Sequence, residues 1–142
     1  MRGWEGVDGK PVLRAYRDGG GVWTIAYGRT RGVRQGDACT AGQAEQWLAD
    51  EVGEVSAMVD RCIKVSVNQS EFDGLVALAY NIGSNAFAGS TLLRLLNAGD
   101  YTAAAAQFAR WDHDNGVEVE GLKKRRAAEH DIFANSNYQG RP

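Results

Sequence analysis

The sequence predicts an α+β fold with a small sheet lobe, one long connecting helix and a mainly helical lobe. Three observations predict it. Val22-Trp23-Thr24-Ile25-Ala26-Tyr27, rich in aromatic and β-branched residues, follows the turn cluster Asp18-Gly19-Gly20-Gly21 and reads as the second arm of a hairpin. Ala44, Trp47, Leu48, Val52, Val55 and Val59 recur at helical spacing. Beyond Cys62 each segment reads as helix, with glycines as punctuation.

The hairpin should run from about Arg14 to Tyr27, followed by a loop to Asp37. Thr40-Ala41-Gly42-Gln43 is a capping box, so the long helix starts there. It should reach about Arg61, which at 1.5 Å per residue is roughly 30 Å. Asn68 to Ile82 includes the nearly all-apolar run Phe72 to Tyr80 and reads as a buried central helix ended by Gly83. Thr91 to Asn97 is a short helix stopped by Gly99, and Asp100 caps another that runs to Trp111. The turn Asp112-His113-Asp114-Asn115-Gly116 breaks it, and a last helix spans Leu122 to Ala134.

The chain has 142 residues, the size of one domain. About 12–38 should form the β-rich lobe, 40–61 the connecting helix and 62–142 the helical lobe. Apolar residues are 44% and charged residues 24%, an ordinary globular mix. No apolar run approaches the roughly 20 residues of a membrane span, so no stable membrane association is expected. The formal charge of −2 argues against a dedicated nucleic-acid binder. That total hides a polarity. Residues 1–36 carry seven Lys/Arg and three Asp/Glu, whereas residues 37–60 carry six acids and no Lys/Arg. A basic N-terminal region suits a polyanionic substrate, and equally a solvated face.

Metal chemistry is not expected. His113 and His130 have no partner at helical spacing, and a calcium loop begun at Asp112 would place Val117 where glycine is needed. Cys39 and Cys62 lack zinc-ligand spacing, leaving either free thiols or a disulfide. Lys123-Lys124-Arg125-Arg126 reads as a helix surface, because four consecutive helical residues point in four directions. Gln69 and Asp73 read as structural. No cofactor is expected.

Two carboxylates near the N-terminus, Glu5 and Asp18, remain, with Thr24 on the strand after them. Alone, each has an ordinary explanation: an exposed acid, a turn initiator and a good strand former. Their setting carries more. Glu5-Gly6, Leu13-Arg14-Ala15-Tyr16-Arg17-Asp18 and Gly21-Val22-Trp23-Thr24-Ile25-Ala26-Tyr27-Gly28-Arg29-Thr30 closely resemble the phage-type lysozymes, the muramidase endolysins. The resemblance continues through Tyr80-Asn81-Ile82-Gly83, Ser90-Thr91-Leu92-Leu93, Arg110-Trp111 and Gly121-Leu122 into Arg125-Arg126, Glu129 and Phe133.

That resemblance implies a lysozyme-like fold with a cleft between the lobes. It implies hydrolysis of the β-1,4 bond between N-acetylmuramic acid and N-acetylglucosamine, with inversion. Glu5 would protonate the leaving oxygen, while Asp18 as base and Thr24 as orienting hydroxyl hold the attacking water. Tyr80, Asn81, Arg110 and Trp111 match substrate-binding positions; for Trp111 plain core packing, and for Asn81 a helix-end role, are the alternatives. Arg125 takes the place of the arginine that pairs with the catalytic acid, with Arg126 as its neighbouring alternative. The expected partner is the peptidoglycan glycan strand, met in the periplasm by a monomer made in the host cytoplasm. A lytic transglycosylase and a non-catalytic wall-binding protein are the rival readings.

The chain departs from the family pattern in three places. Asp8-Gly9-Lys10-Pro11 lengthens the connection from Glu5 to Asp18, and only four residues precede Glu5. Arg29 stands where the family usually has histidine. That histidine pairs with an acid of the long helix, so an Arg29–Glu51 ion pair is expected, with Asp50 as second choice.

Overall fold

The computed structural model describes residues 10–18, 21–114 and 117–136. It is α+β, as expected. The chain divides into two compact units whose boundary, between Gly53 and Glu54, falls inside the long helix.

The first unit is a hairpin and the start of that helix. Strands β1 (Val12–Arg17) and β2 (Trp23–Ala26) pair antiparallel, with Tyr16 opposite Thr24 and Arg17 opposite Trp23. Past β2 the chain reverses within five residues: Ile25 and Arg29 exchange both backbone hydrogen bonds at 2.9 Å, and Ala26 sits at φ 60°. Helix α1 (Ala41–Cys62) begins at the expected capping box. Gln43 N donates to Thr40 Oγ1 at 3.0 Å, and Thr40 N donates to Gln43 Oε1 at 2.8 Å. Each bond satisfies a backbone donor that the first helical turn leaves over.

The reversal after β2 presents two side chains to α1. Tyr27 Oη donates to Glu45 Oε1 at 2.8 Å. Arg29 Nη1 lies 3.0 Å from Glu51 Oε1, and its guanidinium stacks 4.7 Å from the Trp47 ring centroid. The expected ion pair is therefore present, with an aromatic face beneath the cation.

The second unit is built around α2 (Gln69–Ile82), whose Leu75, Ala77, Leu78 and Ala79 are buried. Asn68 caps it in a full capping box with Glu71, and Gly83, at φ +97°, ends it in a conformation that L side chains avoid. Gln69 Nε2 donates to Asp73 Oδ1 one turn on, at 2.7 Å. Helix α3 (Ser84–Ala88) follows at once and buries Phe87, an element not expected from the sequence. Helices α4 (Thr91–Asn97) and α5 (Tyr101–Ala106) start at Ser90 and Asp100, whose side chains accept from the backbone N–H three residues on.

The expected continuous helix from Asp100 to Trp111 is corrected: it stops at Ala106, and Phe108–Trp111 is a 3-10 turn that sets Phe108 in the core. The expected turn at 112–116 falls within a strand pair not expected from the sequence, with residues 115 and 116 outside the described residues. Strands β3 (His113–Asp114) and β4 (Val117–Glu118) make a small hairpin, closed where Val119 N donates to the Asp112 carbonyl at 2.9 Å. Helix α6 (Glu120–Asn135) then packs along α2. Phe108 and Phe133 meet at 5.4 Å between ring centroids.

Cys39 and Cys62 are both free thiols, half-buried, and burial pushes the Cys39 thiol up from its ordinary value.

Gly74 sets how closely α2 and α6 approach. A Cβ there would lie 2.8 Å from Phe133 Cβ and 3.1 Å from both the Glu129 carbonyl oxygen and Phe133 Cα. Backbone cannot swing aside as a side chain can, so Gly74→Ala is expected to lose about 1–3 kcal/mol despite its better helix propensity. A melting temperature equal to the parent's would refute this close contact. The Arg29 pair yields a second test. Arginine stays charged throughout the accessible pH range. A histidine held protonated by Glu51 has a folded pKa above its unfolded value, so its contribution is complete at low pH and lost as pH rises through the folded pKa. Both side chains are about a quarter exposed (26% and 23%), which limits the ion pair to about 1 kcal/mol or less. Thermal melts of Arg29→His and parent should diverge further at pH 8 than at pH 5; a constant gap would refute the pair's contribution.

Candidate active site

In the first unit the hairpin turn ties Asp18 and Thr24 to the backbone of one residue, Val22. Val22 N donates to Asp18 Oδ1 at 2.9 Å, while Thr24 Oγ1 donates to the Val22 carbonyl at 2.9 Å. The same turn is closed by Asp18 N donating to the Val22 carbonyl at 2.9 Å and Gly21 N to the Asp18 carbonyl at 2.9 Å. A short polar side chain at a turn start commonly takes a backbone N–H in this way. Here the bond also turns the Asp18 carboxylate toward the strand that carries Thr24.

The chemistry follows from donor and acceptor counts. Thr24, 4% exposed, has one hydroxyl hydrogen and directs it at Val22. Its remaining lone pairs can only accept, so a water at Thr24 donates one hydrogen to it. The Asp18 carboxylate is an acceptor throughout when ionised and can take the other hydrogen, leaving the water oxygen's lone pairs for attack. Glu5 lies outside the described residues.

The second unit holds the other candidates. Tyr80 and Asn81 lie in the last turn of α2, Tyr80 half-buried and Asn81 exposed. Arg110 and Trp111 close the 3-10 turn; Arg110 is exposed and donates to Gln107 Oε1 at 3.2 Å, and Trp111 is half-buried. Arg125 is half-buried on α6.

Its neighbour corrects the surface reading of the basic run. Arg126 is 1% exposed, its Nε 2.8 Å from Glu129 Oε1, and Glu129 is 0% exposed. Arg126 Nη2 donates to Glu129 Oε2 at 3.2 Å and to Asn81 Oδ1 at 2.8 Å. One turn of helix sets arginine and glutamate side by side, and burial requires such pairing. The i,i+3 spacing of Arg126 and Glu129 was the signal available in the sequence; the reach to Asn81, 45 residues away, left none.

Comparison with known proteins converges on one group. The Phage lysozyme family model matches residues 2–129. An endolysin of Acyrthosiphon pisum secondary endosymbiont phage 1 is 42% identical over 125 residues, covering 85% of this chain and 86% of that protein. Among solved structures, an endolysin from Escherichia coli O157:H7 phage FAHEc1 superposes with a TM-score of 0.84 at 39% identity, over 96% of this chain and 89% of that one. The muramidase domain of SpmX from Asticaccaulis excentricus gives 0.82 at 31% identity, over 94% and 91%.

Thr24 offers a direct test of the hydrogen count. Thr24→Ser keeps the hydroxyl and should retain most lytic activity, whereas Thr24→Val keeps the shape and should lose about tenfold or more, since a positioned water is lost. Turbidity loss of outer-membrane-stripped bacteria measures both. Equal rates in the two variants would make Thr24 a strand residue only.

Proposed function

The chain belongs to the phage lysozyme family, and on that premise we propose that it is a muramidase, a lysozyme-type glycoside hydrolase. It cleaves the β-1,4 bond between N-acetylmuramic acid and N-acetylglucosamine with inversion and so lyses a bacterial cell. The observation that supports this reading is the backbone of Val22, whose N–H holds the Asp18 carboxylate and whose carbonyl holds the Thr24 hydroxyl on one turn. An inverting hydrolase needs a base and an oriented water on the face opposite the leaving group; a lytic transglycosylase needs neither.

Glu5 supplies the proton. A carboxylic acid in partly apolar surroundings stays protonated near neutral pH, because desolvation disfavours its charged form. As the glycosidic oxygen takes that proton, the bond to the anomeric carbon breaks and the water held by Asp18 and Thr24 adds from the other side. Asp18 receives the proton that the water loses. Tyr80, Asn81, Arg110 and Trp111 offer aromatic faces and N–H donors suited to sugar rings, and Arg125 balances the charge left on Glu5. No metal or cofactor enters these steps. The substrate is the periplasmic glycan strand, and the enzyme works on it as a monomer. Among the described residues no helix is long and apolar enough to cross a membrane.

Glu5→Gln should clear stripped cells on the order of 10²–10⁴ more slowly than the parent. Equal rates would overturn the acid assignment. Freshly cleaved glycan should carry an α-configured reducing end; a β product would remove the inverting mechanism. Products lighter by one water would establish the transglycosylase instead.

A further inference from the structure

The contact between Arg126 and Asn81 fixes more than a distance. A guanidinium carries only donors, so only the amide oxygen of Asn81 can face it. At 2.8 Å that oxygen is engaged, and the Asn81 nitrogen is turned the other way on an exposed residue. Among the described residues nothing accepts from that nitrogen. Arg126 itself cannot wander: its side chain is 1% exposed and lies against the fully buried Glu129 carboxylate through both Nε and Nη2. An amide left alone in water would present oxygen and nitrogen in turn. This one presents two N–H groups.

We infer that Arg126, held by Glu129, is a positioning residue that makes Asn81 a donor-only contact, so that this part of the site selects a hydrogen-bond acceptor on the substrate. In a peptidoglycan strand the matching acceptors are carbonyl oxygens, carried by the acetamido groups and the lactyl-peptide arm. The inference rests on the muramidase reading of Asn81 as a substrate contact. It adds a residue that touches no sugar yet decides which atom of Asn81 does. A site built to donate discriminates against a group that also donates, because two N–H groups would then face each other.

The test separates orientation from packing. The double variant Arg126→Met/Glu129→Leu removes both charges together and refills their volume with apolar atoms, a change that buried ion pairs commonly tolerate. With soluble uncrosslinked glycan strands as substrate, KM should rise about three- to tenfold while kcat stays within about twofold, the signature of lost ground-state contact. Asn81→Asp leaves Arg126 and Glu129 in place but replaces the outward donors by an acceptor, and should raise KM by a similar factor. Combining all three substitutions should add little further, since both routes remove one contact. An unchanged KM in a double variant that melts like the parent overturns the inference, as do fully additive effects. If the double variant does not fold, an unchanged KM in Asn81→Asp overturns it alone. Absence of cleavage by the parent would instead overturn the muramidase reading. Orientation is then read from the Asn81 side-chain ¹⁵N resonance with added chitotriose: a shift in the parent that is smaller in Arg126→Met/Glu129→Leu is expected, and equal shifts in the two overturn the inference.

Discussion

The second unit depends on one buried ion pair. Arg126 and Glu129 lie side by side on α6 with almost no exposure, and Asn81 bonds the arginine from α2. An ionised group in such surroundings is tolerable only with its partner in place; stripping one member of a buried pair commonly costs 3–5 kcal/mol. The bond from Arg126 across to Asn81 on α2 thus fixes the rotation of α6 about its axis. Gly74 fixes the distance, since no Cβ stands between α2 and the Phe133 backbone. Rotation and distance together determine which residues of α6 face α2, and Ile132, Phe133 and Ala128 fill the rest of that face.

The first unit uses charge differently. The sequence is basic before residue 37 and acidic after it, a polarity compatible with a polyanionic partner or with plain solvation. The structure adds a third use, because Arg29 from the basic stretch and Glu51 from the acidic one tie the hairpin to α1. Trp47 lies under the guanidinium and Tyr27 reaches Glu45 beside it. Three residues of α1, spaced at 45, 47 and 51, therefore hold the strand reversal that begins at Ala26. Arginine suits this place better than a point charge would, since its flat face stacks while its edge donates.

How much was legible follows from how local each cause is. Both helices with capping boxes start where side chain and backbone can satisfy one another across three residues, and Thr40 with Gln43 announced α1 in the sequence. The hairpin was legible for the same reason, as turn residues abut a β-branched strand. Helix α3 and the 3-10 turn at Phe108–Trp111 were not. Each is too short to stand by itself and exists because the core takes Phe87 and Phe108. Arg126 misled for a related reason: it ends a basic run whose first members, Lys123 and Lys124, are exposed, and its contact with Asn81 comes from a distant helix. Asp18 and Thr24 were visible as a pattern, but what anchors them, the N–H and the carbonyl of Val22, is backbone that carries no signal of its own.

Two ties between α2 and the α6 segment join residues far apart in the chain: Asn81 with Arg126 across 45 positions, and Ser70 with Ser136, just past the end of α6, across 66 through a 2.7 Å hydroxyl contact. On a ribosome adding about 5–20 residues per second, α2 emerges and then waits roughly 2–13 s for the helix that covers it. During that interval its apolar face, Leu75 and Leu78 included, has no α6 to lie against. A nascent chain in this state is a substrate for chaperones and proteases rather than for folding. The order of synthesis therefore makes α6 a completion signal: the helical unit closes only when nearly the whole described chain has been made.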